Sequence, residues 1–275
     1  MKQSMVVTDL DGTLHYRGGS FSTQVIDSLH KLKSMGVIRV IATGRSLYSA
    51  YRVLGRETPI DYLVFSSGAG IMEWKTQRIL REHTMKVNDV RGAAKVLLDI
   101  NMEFMIHDPI PENHRFHYFG TGTDNPDFTR RLDYYREFAT PAAESAFTYR
   151  EACQIVAVEP NGGDRSSYEY IANSLDSLTV IRTTSPIDGE STWIEIFPSS
   201  VSKSFAAEWL RLEHGIPRQQ IMAVGNDYND LDLLTWAHSS YVVGNAPEEL
   251  KAQFQSVGTN HQNGFSEAVS LWLAI

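Results

Sequence analysis

Two carboxylates, Asp9 and Asp11, stand with a single residue between them in the segment Thr8-Asp9-Leu10-Asp11-Gly12-Thr13. They follow the apolar run Met5-Val6-Val7, which reads as a buried strand. In an open α/β sheet, ligands gather beyond the carboxyl ends of the strands, so acids at this point lie where a site belongs. Two such acids can hold a hard cation and divide nucleophilic and acid/base roles between them. Taken alone, Asp-x-Asp is more often an Asx-rich turn.

Three further segments carry groups that could join them. Ala42-Thr43-Gly44-Arg45 follows a second apolar run, and a hydroxyl with the amides of a Gly-containing turn can cradle a phosphate. Taken by itself, that segment reads as a helix cap. Lys203 opens a helical pattern, where a cation opposes the helix dipole, a placement that suits a functional lysine. Gly225-Asn226-Asp227-Tyr228-Asn229-Asp230 follows another apolar run and gathers acids and amides before a helix. These could cap that helix, or complete an oxygen shell around Mg²⁺ if they reach the same sheet edge as Asp9.

The elements that must position these groups alternate. Val25, Leu29 and Leu32 recur at helical spacing after a Ser22 or Thr23 cap, and Gly36 closes that helix. Val37 to Ala42 and Tyr62 to Phe65 read as strands, with a helix capped by Ser46 between them. The rhythm returns in a helix after Ser202, a strand at Ile221 to Val224, a helix at Leu231 to Ala237 and a strand at Tyr241 to Val243. Fully apolar strands separated by helices predict a parallel sheet covered on both faces.

The middle differs. It reads as a helix at Val87 to Ile100, strands at 103–106, 154–158, 180–184 and 193–197, and helices near 127–138 and 165–174. Turn-rich stretches punctuate it at Asn161-Gly162-Gly163-Asp164 and Pro186-Ile187-Asp188-Gly189. The expected fold is α/β: a doubly wound parallel-sheet, Rossmann-like core from 1–82 and 190–275, with an inserted α+β domain at 83–189.

Composition sets outer limits. The 275 residues are 42% hydrophobic and 21% charged, ordinary for a globular chain. The formal charge of −8 disfavours a nucleic-acid partner. A phosphorylated metabolite would therefore need a local positive site. Cys153 is the only cysteine, so a Cys-based zinc site and an internal disulfide are both excluded. It reads as a small core residue. No secretory signal and no stretch of ~18 apolar residues is found, so the expected location is cytoplasmic with no membrane partner. No Gly-x-x-x-x-Gly-Lys-Ser/Thr loop occurs, which disfavours a P-loop ATPase.

Asp9-Leu10-Asp11-Gly12-Thr13, Thr43-Gly44-Arg45, Lys203 and Asn226 through Asp230, in this order, resemble the haloacid dehalogenase (HAD) superfamily, in its Cof-type, subfamily IIB branch of phosphatases. The resemblance covers nearly the whole chain, and the insert matches the position of that branch's cap. It implies a Mg²⁺-dependent phosphatase acting on a small phosphate monoester, a sugar phosphate in the leading reading. Asp9 would form an aspartyl-phosphate, and Asp11 would serve as acid and then base. Leu10, Thr43, Gly44, Arg45, Lys203 and Asn229 would bind the phosphoryl group. Mg²⁺ would be held by Asp9, the Asp11 carbonyl and the last motif, whose candidates are Asn226, Asp227 and Asp230.

This sequence departs from the family pattern at two places. An acid is usual where Asn226 stands, and Asp227 is the expected replacement because an amide weakens a hard-cation site. Ser66-Ser67-Gly68-Ala69 replaces a more usual Asn-Gly-Ala. By the same analogy the inserted domain excludes water and reads the leaving group, with Arg115, His117 and Tyr118 as candidate contacts. His107, His114 and His117 read as exposed loop histidines and not as a metal site. Phosphoryl transfer to a second substrate hydroxyl, as in a phosphomutase, and a non-catalytic ligand-binding protein are the alternatives. A monomer or weak homo-oligomer is expected.

Overall fold

The computed structural model describes residues 3–15, 21–122, 124–143, 147–160 and 166–274. In chain order its strands are β1 (Met5–Thr8), β2 (Ile38–Ala42), β3 (Tyr62–Phe65), β4 (Gly70–Glu73), β5 (Arg78–Glu82), β6 (Phe104–His107), β7 (Phe116–Phe119), β8 (Ala139–Pro141), β9 (Gln154–Glu159), β10 (Leu178–Thr184), β11 (Thr192–Pro198), β12 (Ile221–Gly225), β13 (Ser239–Val243) and β14 (Gln255–Val257). The helices are α1 (Thr23–Ser34), α2 (Leu47–Ala50), α3 (Val87–Asp99), α4 (Pro126–Tyr134), α5 (Ser166–Ser174), α6 (Lys203–Glu213), α7 (Leu231–Trp236), α8 (Glu248–Lys251) and α9 (Gly264–Leu273). Among the described residues no helix is long and apolar enough to cross a membrane.

The chain forms two compact units. One takes the residues up to Arg45, Ser49–Arg81 and everything from Ser202, and the other takes Ser46–Tyr48 and Glu82–Val201. The first unit holds an eight-stranded sheet in the order β14-β13-β12-β1-β2-β3-β4-β5. From β14 to β3 the strands run parallel, and β4 then turns back antiparallel to β3. The central strands lack the alternation of a half-exposed sheet because both faces are covered. Met5, Val7, Val40, Ala42, Ala223 and Val242 pack with Ala206, Leu210, Leu233 and Leu250 of α6, α7 and α8. On the other face α1 packs on β2, and α9 packs on α1 and on β12, β13 and β14. The expected α/β fold with a parallel sheet is what the structure has.

Register decides what arrives at the site. Thr8 at the end of β1 pairs with Ile41 of β2 and Val224 of β12, so three strands end side by side. The residues that follow them, Asp9, Thr43 and Asn226, emerge at one edge. Backbone bonds fix the exits: Asp9 N–H donates to the Val224 carbonyl at 2.9 Å and Thr43 N–H to Val64 at 2.9 Å.

In the second unit the sheet order is β10-β11-β9-β6-β7-β8, antiparallel except between β7 and β8. Alternation is clear here. Ile106, Ile155, Ala157, Ile194 and Ile196 face α3 and α5, while Met105, Phe116, Val156, Val158 and Trp193 pack with Phe128 of α4. The inserted domain therefore extends past the expected limit at 189. β11 is paired on both sides, to β10 and β9, and the first unit resumes at Ser202. An apolar strand suits either sheet, and only its neighbours assign it.

Other expectations shift locally. The helix after Ser46 is the short α2, ending at Ala50. His117, expected in a loop, lies on the strand β7. The turn at 161–164 lies outside the described residues, as does residue 165 at the start of the expected helix. His107 is not a loop histidine: it ends β6, is buried, and bonds the Asn113 carbonyl through Nδ1 at 2.8 Å. Burial and the nearby Arg131 hold its pKa down to about 3, so it stays neutral. His117 lies on β7 with Nε2 3.3 Å from Arg150, and Arg115 pairs with Glu112 at 3.0 Å. Cys153 is buried as expected.

Candidate active site

At the end of β1 the chain enters a tight turn, where Leu10 is buried and its carbonyl accepts from Leu14 at 3.0 Å and His15 at 2.8 Å. The turn needs φ of +78° at Gly12, a conformation open to glycine without strain. Asp9 itself is 5% exposed.

Lys203 reaches Asp9 from the start of α6. Ser202 caps that helix by accepting from Phe205 N–H at 3.2 Å, which directs the first helical side chain inward. The Lys203 ammonium is fully buried and donates to Asp9 Oδ1 at 2.6 Å and Asp230 Oδ1 at 2.6 Å. A buried ammonium is tolerable only with such partners. Burial pulls its pKa down, but Asp230 and Asp9 outweigh that and hold it above the ordinary lysine value. Asp9 shares its cation with Asp230, so burial dominates and pushes its carboxyl up to about 7. Lys203 opposes that rise, while Asp230 and Asp11 add to it.

Asp230, a candidate metal ligand from sequence, has both oxygens committed. Oδ1 holds Lys203, and Oδ2 accepts the backbone N–H of Asn226 at 2.8 Å and Asp227 at 3.2 Å. It fixes the loop after β12. Asp227 likewise serves its own turn, accepting from Tyr228 N–H at 2.8 Å as the cap of the single helical turn Tyr228–Asp230. The expectation that Asp227 would stand opposite Asp9 is therefore corrected: Asn226 occupies that place. One terminal atom of its amide lies 3.1 Å from Asp9 Oδ2, 2.9 Å from the Asp11 carbonyl oxygen and 3.0 Å from Thr13 Oγ1. Asn229, in the same turn, makes no side-chain hydrogen bond to the described residues.

Thr43 is buried, with its hydroxyl accepting from Arg45 N–H at 3.2 Å. The N–H groups of Leu10 and Gly44 have no acceptor among the described residues, which leaves two donors at this sheet edge. Arg45, expected on the phosphate, instead grips the Asp11 carboxylate through Nε and Nη2.

Sequence reasoning missed several supporting groups. Ser66 and Ser67 adopt positive φ of 49° and 53°, and Gly68 lies at 109°. Ser67 N–H bonds the Thr43 carbonyl at 3.0 Å. A Cβ on Gly68 would sit 2.3 Å from the Ser202 carbonyl oxygen, so this turn seats the start of α6. Asn245 holds the Gly12 carbonyl at 2.8 Å. No motif spacing signals these residues; only the unusual Ser-Ser-Gly after a buried strand hinted at one of them.

Hard-cation chemistry fits the donor set. Among the described residues no cluster of three His, Cys, Asp or Glu side chains could hold a metal. A carboxylate oxygen of Asp9, the Asp11 carbonyl and the Asn226 amide are close enough to share one, and all are oxygen donors suited to Mg²⁺.

Comparison with known proteins agrees with the geometry. Residues 6–269 match the family model of the haloacid dehalogenase-like hydrolases. The 5-amino-6-(5-phospho-D-ribitylamino)uracil phosphatase of Bacillus subtilis (strain 168) is 25% identical over 100% of this chain and 99% of its own. A phosphatase of the superfamily from Bacteroides thetaiotaomicron superposes with a TM-score of 0.79 at 19% identity, covering 100% of this chain and 96% of that one. A HAD subclass IIB sugar phosphatase superposes with a TM-score of 0.76 at 16% identity, covering 99% and 100%. With a family match that runs almost from end to end, the chain belongs to the haloacid dehalogenase-like hydrolases and is a phosphatase of that superfamily.

Proposed function

We propose that this phosphatase hydrolyses a small phosphate monoester on a sugar or polyol, through an aspartyl-phosphate at Asp9 and with Mg²⁺ as cofactor. The observation that carries this reading is the buried Lys203 bridging Asp9 and Asp230, beside the N–H groups of Leu10 and Gly44, which have no acceptor among the described residues. Such a site binds an anion at an acid, which only a nucleophilic or cation-assisted role explains. The ribityl phosphate in the name of the Bacillus subtilis relative favours a polyol phosphate.

In the first half-reaction a carboxylate oxygen of Asp9 forms a bond to phosphorus as the bond to the leaving oxygen breaks, and Asp11 gives that oxygen its proton. In the second, water attacks phosphorus, Asp11 takes its proton, and Asp9 is released as carboxylate with inorganic phosphate. Lys203, the Leu10 and Gly44 amides and the Thr43 hydroxyl carry the phosphoryl oxygens throughout, so charge is neutralised without reorganisation. Asp9 Oδ2, the Asp11 carbonyl and the Asn226 amide oxygen would hold Mg²⁺, which supplies positive charge to the phosphoryl oxygens when bound. The inserted unit is the part of the chain that we assign to substrate choice. A cytoplasmic location suits this substrate class.

The test is phosphate release across phosphorylated sugars, polyols and nucleotides, with and without chelator. Release from a sugar or polyol phosphate that stops in chelator and returns with Mg²⁺ is expected. Undiminished release by Asp9→Asn would sink the covalent route.

A further inference from the structure

One cation of the second unit lacks the partner that its burial calls for. Arg131, on α4, is half-buried and reaches the sheet face that carries Met105, Phe116 and Trp193. Its guanidinium carbon stands 4.3 Å from the centre of the Trp193 ring and 5.3 Å from that of Tyr135. Nε donates to the Met105 sulfur at 3.1 Å, and Nη2 lies 3.4 Å from His107 Nε2. The Asn113 carbonyl beside His107 Nδ1 can only accept, so Nδ1 carries the proton of the neutral ring and Nε2 is the acceptor for Arg131. Nη1 and the other N–H of Nη2 meet no acceptor among the described residues, and no carboxylate there forms an ion pair with the group.

Helix geometry offers a partner one turn back, at Asp127. That acid is committed elsewhere: Oδ1 accepts from Ser185 Oγ at 2.9 Å and Oδ2 from Trp193 Nε1 at 2.6 Å. The indole on which Arg131 stacks is thereby held in place. Arg115, by contrast, has its own carboxylate in Glu112. Burial pulls the Arg131 pKa down, and Tyr135, Glu195 and Asp127 offset this only in part. A cation drawn out of water, fixed in plane and presenting a fork of N–H groups, suits an oxyanion held by two parallel bonds.

We propose that Arg131 receives a second oxyanion of the substrate, a carboxylate or a phosphate remote from the phosphoryl group that is transferred. The inference rests on the sugar or polyol phosphate reading above and narrows it to members that carry a further acid group. Trp193 and His107 are positioning residues, which fix the plane and the edge of the guanidinium before the ligand arrives.

The experiment measures kcat/KM with Mg²⁺ for the natural protein, Arg131→Met and Arg131→Lys on two substrate pairs. These are gluconate 6-phosphate against glucose 6-phosphate, and fructose 1,6-bisphosphate against fructose 6-phosphate. The natural protein is expected to prefer the more anionic member of at least one pair by ~tenfold or more, and the pair that shows it tells a carboxylate from a phosphate. Arg131→Met should cost that member ~10- to 100-fold and its counterpart no more than ~threefold. Arg131→Lys, which keeps the charge and loses the fork, should retain part of the preference. Equal losses on both members with a lowered melting temperature would make Arg131 a packing residue and overturn the proposal. Turnover of both pairs by the natural protein without preference would overturn it too, and either result leaves the sugar phosphate reading standing. Turnover confined to monoesters that are neither sugars nor polyols and lack a second anion overturns both.

Discussion

Arg45 grips both oxygens of Asp11, with Nε 2.6 Å from Oδ2 and Nη2 2.7 Å from Oδ1. A carboxylate so held keeps a second lone pair on each oxygen for a proton, and the guanidinium fixes the direction in which that proton is presented. Arg45 thus sets the orientation of Asp11, and its removal should matter only where a proton is needed. Arg45→Met is expected to slow hydrolysis of an alkyl phosphate ~10- to 100-fold, the scale of misplaced acid catalysis. Turnover of p-nitrophenyl phosphate, whose leaving group needs no proton, should change far less. Equal losses on both substrates would place Arg45 on the phosphate instead.

Burial of Asp9 has a consequence for stability. Its folded-state pKa of about 7 lies above the ordinary 3.8, so the folded protein keeps a proton that the unfolded chain releases across that interval. The metal-free protein therefore loses stability as pH rises from about 4 to about 7. Asp9→Asn cannot ionise and lacks this slope. In chelator its stability relative to the natural protein should improve between pH 4 and pH 8 by on the order of 2–4 kcal/mol, measured by urea unfolding at each pH. Parallel pH profiles would show that another group titrates.

Asp230 supports the site from beneath: it pairs with Lys203 and receives two backbone N–H groups. Asp230→Ala removes all three bonds at a fully buried position. We expect a loss of ~3–5 kcal/mol in unfolding free energy, the cost of breaking a buried pair. Asp230→Asn, which keeps the shape and an acceptor oxygen, should lose less. A neutral Asp230→Ala would mean that Lys203 is held by Asp9 alone.

Gly68 tests whether the turn after β3 positions α6. An alanine there would clash with the Ser202 backbone 2.3 Å away at a φ of 109°. Gly68→Ala should destabilise by about 2 kcal/mol or more and lower turnover by shifting Lys203. Gly92→Ala, in α3 with nothing within 4 Å of the new Cβ, should be neutral or stabilise by ~0.5–1 kcal/mol. Similar effects at the two glycines would refute the positioning role.

The sequence by itself determined the chemistry on offer and its order: Asp9 and Asp11, Thr43, Lys203, and the acid- and amide-rich turn after Ile221 to Val224. It determined the parallel core as well, because continuous apolar strands between amphipathic helices have few other ways to bury both faces. The start of α1 was legible to within Ser22 or Thr23, and a helix after Ser202 was legible too, because helix starts are set by near neighbours. Tertiary structure alone decided the rest. Whether Asn226 or Asp227 faces Asp9 depends on how Asp230 pins two successive N–H groups, which no spacing reveals. Arg45 on Asp11, Asp230 on Lys203 and β11 between β9 and β10 are likewise long-range choices among chemically equivalent partners. Periodicity records which face of an element is apolar. It does not record which distant element that face will meet, and at this site that meeting assigns each residue its work.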